Sequence, residues 1–343
     1  MKKILIATLK IVLPLGLGLY LVWYFYSNLS EQDKSDILEA FQRADYTWVW
    51  LSLIAATLSH VSRAYRWKYT LEPLGYKLDF VNSFFSVMIG YLVNLAVPRL
   101  GEISRCGVIH RYEKTPFEKL LGTVIAERVA DLIILMATTV TVIFIQYEVI
   151  QELLNETLES WFGKFSSGLV ITLLVVLIVG GIGALVFVYR TRTQNAFLQR
   201  VQALLRGIVD GALSIYTMKR KWAFIGHTIF IWLMYVVMFY LCFFSLPETS
   251  DVPLGGVLTG FVLGGITIAA TNGGIGAYPL AIQAILMLYG VEKNTAGAFG
   301  WIVWTAQTVL VIVLGALSFL LIPAYNRYRN AKQHTHPTEN PTA

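Results

Sequence analysis

Residues 167–189 read SGLVITLLVVLIVGGIGALVFVY, a run without a single charge. As a helix it would be about 34 Å long at ~1.5 Å per residue, enough for a ~30 Å hydrocarbon core. Backbone N–H and C=O groups in lipid must be satisfied within the protein, so a chain crosses as helices or as a closed barrel. A barrel strand alternates and is short; this run does neither. Comparable runs occur at about 4–26, 46–62, 119–147, 222–246 and 297–323. Two more apolar regions, 80–97 and 254–290, are interrupted or awkwardly placed. The 343 residues are 56% hydrophobic and 14% charged, against roughly a quarter charged in a soluble domain. The reading is an all-α polytopic membrane protein. Residues 1–323 form one integral membrane domain, and 324–343 a polar, disordered cytoplasmic tail. The first run is too long for a cleaved leader and reads as a retained helix.

Charge placement orders these runs. Short Lys/Arg-rich loops stay in the cytoplasm. With the N-terminus inside, 27–45 lies outside with five acids and two bases, and 63–79 returns inside with Arg63, Arg66, Lys68 and Lys77. If 80–97 crossed fully, every later loop would flip. The Glu-rich loop 148–166 would fall inside, and the loop 190–221, with seven Lys/Arg, outside. If 80–118 instead enters and leaves on the cytoplasmic side, inside segments hold 20 of the 27 Lys/Arg. Outside segments then hold 12 of the 21 acids. The same logic makes 254–290 a hairpin open to the outside. The expectation is about six full crossings, two re-entrant helical hairpins and both termini cytoplasmic. Segments 46–147 and 222–323 then form an inverted repeat, an architecture of many secondary transporters. Phe197, Val201, Leu204 and Ile208, with Arg200 and Arg206 beside them, predict a surface helix over 194–217, either amphipathic on the membrane or a solvated linker.

Three constellations can carry function. The first is the tip of the first hairpin, NLAVPRLGEISRCG. Asn94 stands one turn before it and can cap or line it. Pro98 suits the first turn of a new helix, and Gly101 permits close approach. Arg99, Glu102 and Arg105 are three apart, so a helix from Pro98 puts them on one face. The arginines suit a phosphate, and Glu102 can orient one of them or take a proton. A loop with surface ion pairs is the alternative. The second is Glu127, Arg128 and Asp131, about two turns (~12 Å) into a helix beginning near Leu120. Charges at that depth are costly and face protein or water. Arg128 can pair with its helix neighbours or with Glu102, and a purely structural ion-pair knot is the alternative. The third is ATNGGIGAYP at 270–279, the second tip. There Gly273, Gly274 and Gly276 break the run, Pro279 suits the restart, and Asn272 can bond a head group. Tight helix packing is the alternative.

His60 and His227 read as packing residues. Cys106 and Cys242 form neither a disulfide framework nor a metal cluster. No cofactor or metal is expected, and a net charge of +6 set by membrane topology gives no reason to expect nucleic acid as a partner. P-loop, H-E-x-x-H and G-x-S-x-G patterns are absent.

Asn94 with Pro98-Arg99-x-Gly101-Glu102-x-x-Arg105, then Glu127-Arg128-x-x-Asp131, then Gly273-Gly274-x-Gly276 resemble the lysylphosphatidylglycerol synthase transmembrane (flippase-type) family. The likeness runs over about residues 10–323. Members are bacterial inner-membrane proteins, some fused to a soluble aminoacyl-transferase domain, with the membrane part implicated in lipid flipping. The resemblance implies a stand-alone flippase of a phospholipid or lipid-linked anionic intermediate, able to self-associate and not expected to synthesise aminoacyl-lipids. Where the family commonly has Pro before the Gly pair and Glu after the last Gly, this chain has Asn272 and Pro279, so a lysyl-lipid is not implied. The competing expectations are an intramembrane enzyme using Glu102 or Glu127 as acid/base, and a non-catalytic scaffold.

Overall fold

The computed structural model describes residues 30–97, 99–147, 215–271 and 273–335, with isolated positions before Ser30 and between 198 and 202. The expected crossings 4–26 and 167–189, most of the 194–217 helix, Pro98 and Asn272 lie outside the described residues. The chain divides into two compact units, Met1–Val124 with Lys219–Ala343, and Ile125–Met218.

The principal elements are α1 (Glu31–Arg43), α2 (Tyr46–Leu71), α3 (Phe80–Ala96), α4 (Leu100–Glu113), α5 (Phe117–Ile145), α6 (Lys221–Cys242), α7 (Leu254–Ala270), α8 (Ala277–Leu288) and α9 (Lys293–Thr335). No strand occurs among the described residues. Three helices there, Phe117–Ile145, Lys221–Ser245 and Lys293–Lys332, are long and apolar enough to cross a membrane. Large apolar side chains stand exposed along them, Phe144 at 78%, Trp222 at 76% and Leu320 at 70%. Water would penalise that surface; hydrocarbon does not. This is an all-α polytopic membrane protein.

The larger unit is built on α9. At its Lys293 end, α1 docks: Asn294 Nδ2 donates to Asp33 at 2.9 Å and to Asp36 at 3.0 Å. The sequence explains why α1 forms. Ser30 Oγ accepts from the Asp33 N–H at 3.0 Å and the Asp33 carboxylate accepts from the Ser30 N–H at 2.8 Å, a capping box. At the other end, Asn82 and Asn326 exchange amide hydrogen bonds at 2.7 and 3.0 Å. Glu113 takes both Arg329 and Asn82, and Tyr325 reaches Asp79. Asn294 and Asn326 are about 48 Å apart along the helix at ~1.5 Å per residue.

The two hairpins enter from opposite ends of α9. Helices α3 and α4 start and finish beside Asn326 and Arg329, since Asn82 bonds Glu113 directly. Helices α7 and α8 belong to the Lys293 end, where Gln283 Nε2 donates to the Lys293 carbonyl at 2.9 Å. Both tips stop partway. Trp304 Nε1 donates to the Gly273 carbonyl at 2.8 Å, and a Cβ built on Gly273 would stand 3.2 Å from Leu95. The tips therefore meet beside Trp304, about 15 Å along α9 from Asn294. Helix α2 runs antiparallel to α6: Trp48 stacks on Phe244 at one end, and Ser62 bonds His227 at 2.8 Å towards the other. Long, short, short, long helices thus occur twice in order: α2, α3, α4, α5, and α6, α7, α8, α9.

Several expectations change. Helix α2 does not end at 62 but continues to Leu71. Arg63 and Arg66 therefore lie in a helix and are 3% and 0% exposed, not in a loop. Arg66 donates to Thr228 at 2.8 Å, Arg63 to Tyr235 at 3.3 Å. Helix α9 runs through Pro323 to Thr335, so the segment 324–335 is not a disordered tail. Proline forfeits one backbone bond, and the Asn326 and Arg329 contacts hold the helix beyond it. Segment 27–45, for which charge counting gave only a side of the membrane, carries a docked helix.

The Asn294 hydrogen bond, ahead of the Ser30 cap, holds the Asp33 carboxyl down at about 2. A carboxyl lowered on folding contributes to docking above about pH 4 and loses that contribution as pH falls through about 2. A fluorophore on Glu39→Cys should report α1 seated above that window and released within it. Asp33→Asn should remove the step; an unchanged step would place the titration elsewhere.

Candidate functional site

The tips enclose a cavity of about 380 Å³, within the range of roughly 300–1,000 Å³ typical of small-ligand sites. Asn94, Arg99 and Glu102 line it from the first tip, Thr271 and Gly273 from the second, and Gln307 from α9.

Local sequence explains the first tip. Helix α3 ends at Ala96, and α4 begins at Leu100 rather than at Pro98. Arg99 is the residue before α4 and sits at φ 66°, in the left-handed region. Asn94 both lines the cavity and closes the break, its Oδ1 accepting from the Gly101 N–H at 2.7 Å. Gly101 has no room for more: a Cβ there would lie 2.1 Å from the Gly90 carbonyl oxygen and 2.5 Å from Asn94 Cγ. At the second tip Gly273, Gly274 and Gly276 all have positive φ, 64°, 76° and 69°, which suits glycine and strains other residues. Helix α8 starts at Ala277, so Pro279 falls in its first turn.

Two polar atoms of residues lining this cavity stand out. Among the described residues, Glu102 Oε2 and Gln307 Nε2 are both buried without a hydrogen-bond partner. An unmet acceptor and an unmet donor on two residues that line one cavity carry a desolvation cost of about 1–3 kcal/mol each. A ligand carrying a donor and an acceptor would remove it. Arg99 is exposed and contributes no ion pair among the described residues. Tyr91 also lines the space, with its hydroxyl 3.4 Å from that of Tyr235 and its ring 4.9 Å from His60.

The other expected residues lie elsewhere. Arg105 does not line the cavity with Arg99 and Glu102. It is 4% exposed and its guanidinium stacks 3.6 Å over the Trp67 ring. Glu102 and Arg105 both lie in α4, but the Arg105 guanidinium is taken by the Trp67 ring, and Arg99 stands before the helix in left-handed geometry. Trp67 is itself fixed by donating to Thr123 Oγ1 at 2.8 Å. Arg105→Ala is expected to cost about 2 kcal/mol through loss of a desolvated cation–π contact, read as a lowered Tm of the purified protein. An unchanged Tm would show that the stack is not structural.

In the smaller unit, Glu127 and Asp131 are buried, at 0% and 8% exposure. Arg128 approaches Asp131 at 3.7 Å, the helix-neighbour pairing of the two weighed from sequence. Helix α5 begins at Phe117, so Glu127 is about 15 Å from its start, somewhat deeper than a start near Leu120 implied.

Sequence reasoning missed Gln307, Tyr91, Thr271, Arg63 and Arg66. Gln307, a lone amide inside an apolar run, was a usable signal, because polar side chains at membrane depth seek partners. Nothing in the sequence alone marked Tyr91.

With the site described, the chain can be set against known proteins. The family model for the lysylphosphatidylglycerol synthase TM region matches residues 11–315. The chain belongs to this family. Across the lysylphosphatidylglycerol synthase TM family's span lie both tips, the cavity and the Glu127–Asp131 segment. A UPF0104 membrane protein of Methanocaldococcus jannaschii is 23% identical over 339 residues, covering 94% of this chain and 97% of its own length. The similarity is thus to a relative of the same extent, not to a piece of a larger one. No solved structure matches the chain.

Proposed function

We propose that the protein moves the head group of an anionic phospholipid, or of a lipid-linked anionic intermediate, across the bacterial cytoplasmic membrane. One observation carries the reading. Two helical hairpins enter from opposite ends of α9 and close, tip to tip, on a cavity lined by the exposed Arg99 and by Glu102 and Gln307, each of which has a polar atom buried without a hydrogen-bond partner among the described residues. Irregular backbone at membrane depth is tolerated where it is buried or lines a wet cavity. In this reading both hairpins are re-entrant and the termini are cytoplasmic. The acidic helix α1 lies outside, and the basic 219–221 end of α6 inside, in line with the charge rule. Arg99 meets the phosphate, Glu102 accepts from a head-group hydroxyl or amine, and Gln307 donates to an oxygen. The acyl chains stay in lipid.

The test is translocation in proteoliposomes. Fluorescent phosphatidylglycerol in the inner leaflet should become reducible by external dithionite when the protein is present, and Glu102→Gln should slow it. No flux above protein-free vesicles would overturn the proposal. A chemically altered lipid appearing in detergent, where there is no second leaflet, would instead support the enzyme reading. Full complementation by an Arg99→Gln/Glu102→Gln double variant would support the scaffold.

A further inference from the structure

We propose that a second site, separate from the tip cavity, seats one acyl chain of an anionic phospholipid between α2 and α6, with the lipid phosphate against Lys68 and Arg220. The site is a groove of about 780 Å³ walled by Leu58, Val61 and Tyr65 of α2, Phe80 at the start of α3, and Ala223 and Phe230 of α6. It shares no lining residue with the tip cavity.

The wall is apolar except for Ser62 and His227, which hydrogen-bond each other at 2.8 Å. The slot therefore presents hydrocarbon to its occupant. Its width depends on Gly226: a Cβ built there meets nothing within 4 Å, so a larger residue would project into open space.

One end of the slot differs in kind. Lys68 Nζ stands 3.4 Å over the Tyr65 ring and 5.0 Å over that of Tyr69. Arg220 approaches Glu72 at 3.5 Å and its side chain remains 63% exposed. It sits in the run Lys219-Arg220-Lys221, followed by the exposed Trp222. Cations and aromatics at one level with an apolar slot beside them match a phospholipid at the interface: phosphate at the cations, glycerol against the rings, chain in the slot. From Tyr65 to Leu58 the slot reaches about 10 Å along α2, the upper part of an acyl chain. The cationic end selects an anionic lipid over a zwitterionic one.

The test is native mass spectrometry of the full chain in detergent, titrated with dioleoyl phosphatidylglycerol or dioleoyl phosphatidylcholine. Phosphatidylglycerol should bind about tenfold tighter. Gly226→Phe should weaken both lipids about tenfold or more by filling the slot, and Ala223→Leu should do so more mildly should the first variant fold poorly. In an Arg99→Gln background, Lys68→Gln with Arg220→Gln should bring phosphatidylglycerol down to the phosphatidylcholine level and leave the latter unchanged. Gly265→Phe, at another glycine with open space around it, should bind like wild type. Wild-type binding in both groove-filling variants overturns the proposal, as does a phosphatidylglycerol preference that survives the double glutamine variant when Arg99→Gln has also removed the phosphate contact at the tip cavity. So does a groove occupied by a second copy of the chain. The readout is binding, so loss of this site and loss of translocation can be told apart.

Discussion

Arg99→Gln is expected to reduce phosphatidylglycerol translocation about 30-fold or more while the purified protein keeps its Tm. The magnitude follows from removing one partner of a hydrogen-bonded charge pair, which costs roughly 2–5 kcal/mol. The retained fold follows from geometry. Arg99 is exposed, contributes no ion pair among the described residues, and lies outside the α4 ladder. Its backbone sharpens the case. A non-glycine residue at φ 66° pays roughly 1–2 kcal/mol that glycine does not. Arg99→Gly should therefore raise Tm and still lose translocation. A side chain kept in strained geometry at the mouth of a cavity fits use of that side chain. Arg99→Gly that transports normally would remove Arg99 from the mechanism.

Gly101→Ala is expected to be the most damaging glycine-to-alanine change among the described residues. The added carbon would lie 2.1 Å from a backbone oxygen of α3 and 2.5 Å from Asn94 Cγ. The backbone cannot swing aside as a flexible side chain can, so α3 and α4 must separate. Separation also breaks the Asn94 cap on Gly101. Overpacking of about 1–3 kcal/mol and a lost cap of about 0.5–2 kcal/mol add to a loss of roughly 3 kcal/mol. Gly107→Ala, in the same helix with nothing within 4 Å, should instead be neutral or stabilising by about 0.5–1 kcal/mol. Equal Tm values for the two variants would contradict the close crossing at the tip.

Much of this was legible in the residues. Apolar run length gave the helical membrane class, and Pro, Gly and charge inside two runs gave both hairpin breaks to within a few residues. Arg63 and Arg66 were misread because charge counting treats any arginine near a span as loop. A helix that buries its arginines against Thr228 and Tyr235 looks the same in sequence. Arg105 was misplaced because its guanidinium is taken by the Trp67 ring, a partner distant in sequence, although it stands three residues after Glu102 in the same helix. Helix α1 carries a sequence signal that the charge reading of 27–45 did not use, Ser30 three residues before Asp33. The long reach of α9 past Pro323 depends on Asn82 and Glu113, distant in sequence, and no local pattern reports them.

The arrangement of the two hairpins is tested most directly by sided labelling. Both native cysteines are buried, so single cysteines can be added at Lys77, Lys114, Asp251 and Lys293, flanking the hairpins, and probed with a membrane-impermeant maleimide. Lys77→Cys and Lys114→Cys should label from one face of the membrane, and Asp251→Cys and Lys293→Cys from the other. Labelling of Lys77→Cys and Lys114→Cys from opposite faces would mean that the first hairpin crosses the membrane, and the two-sided site described here would not exist.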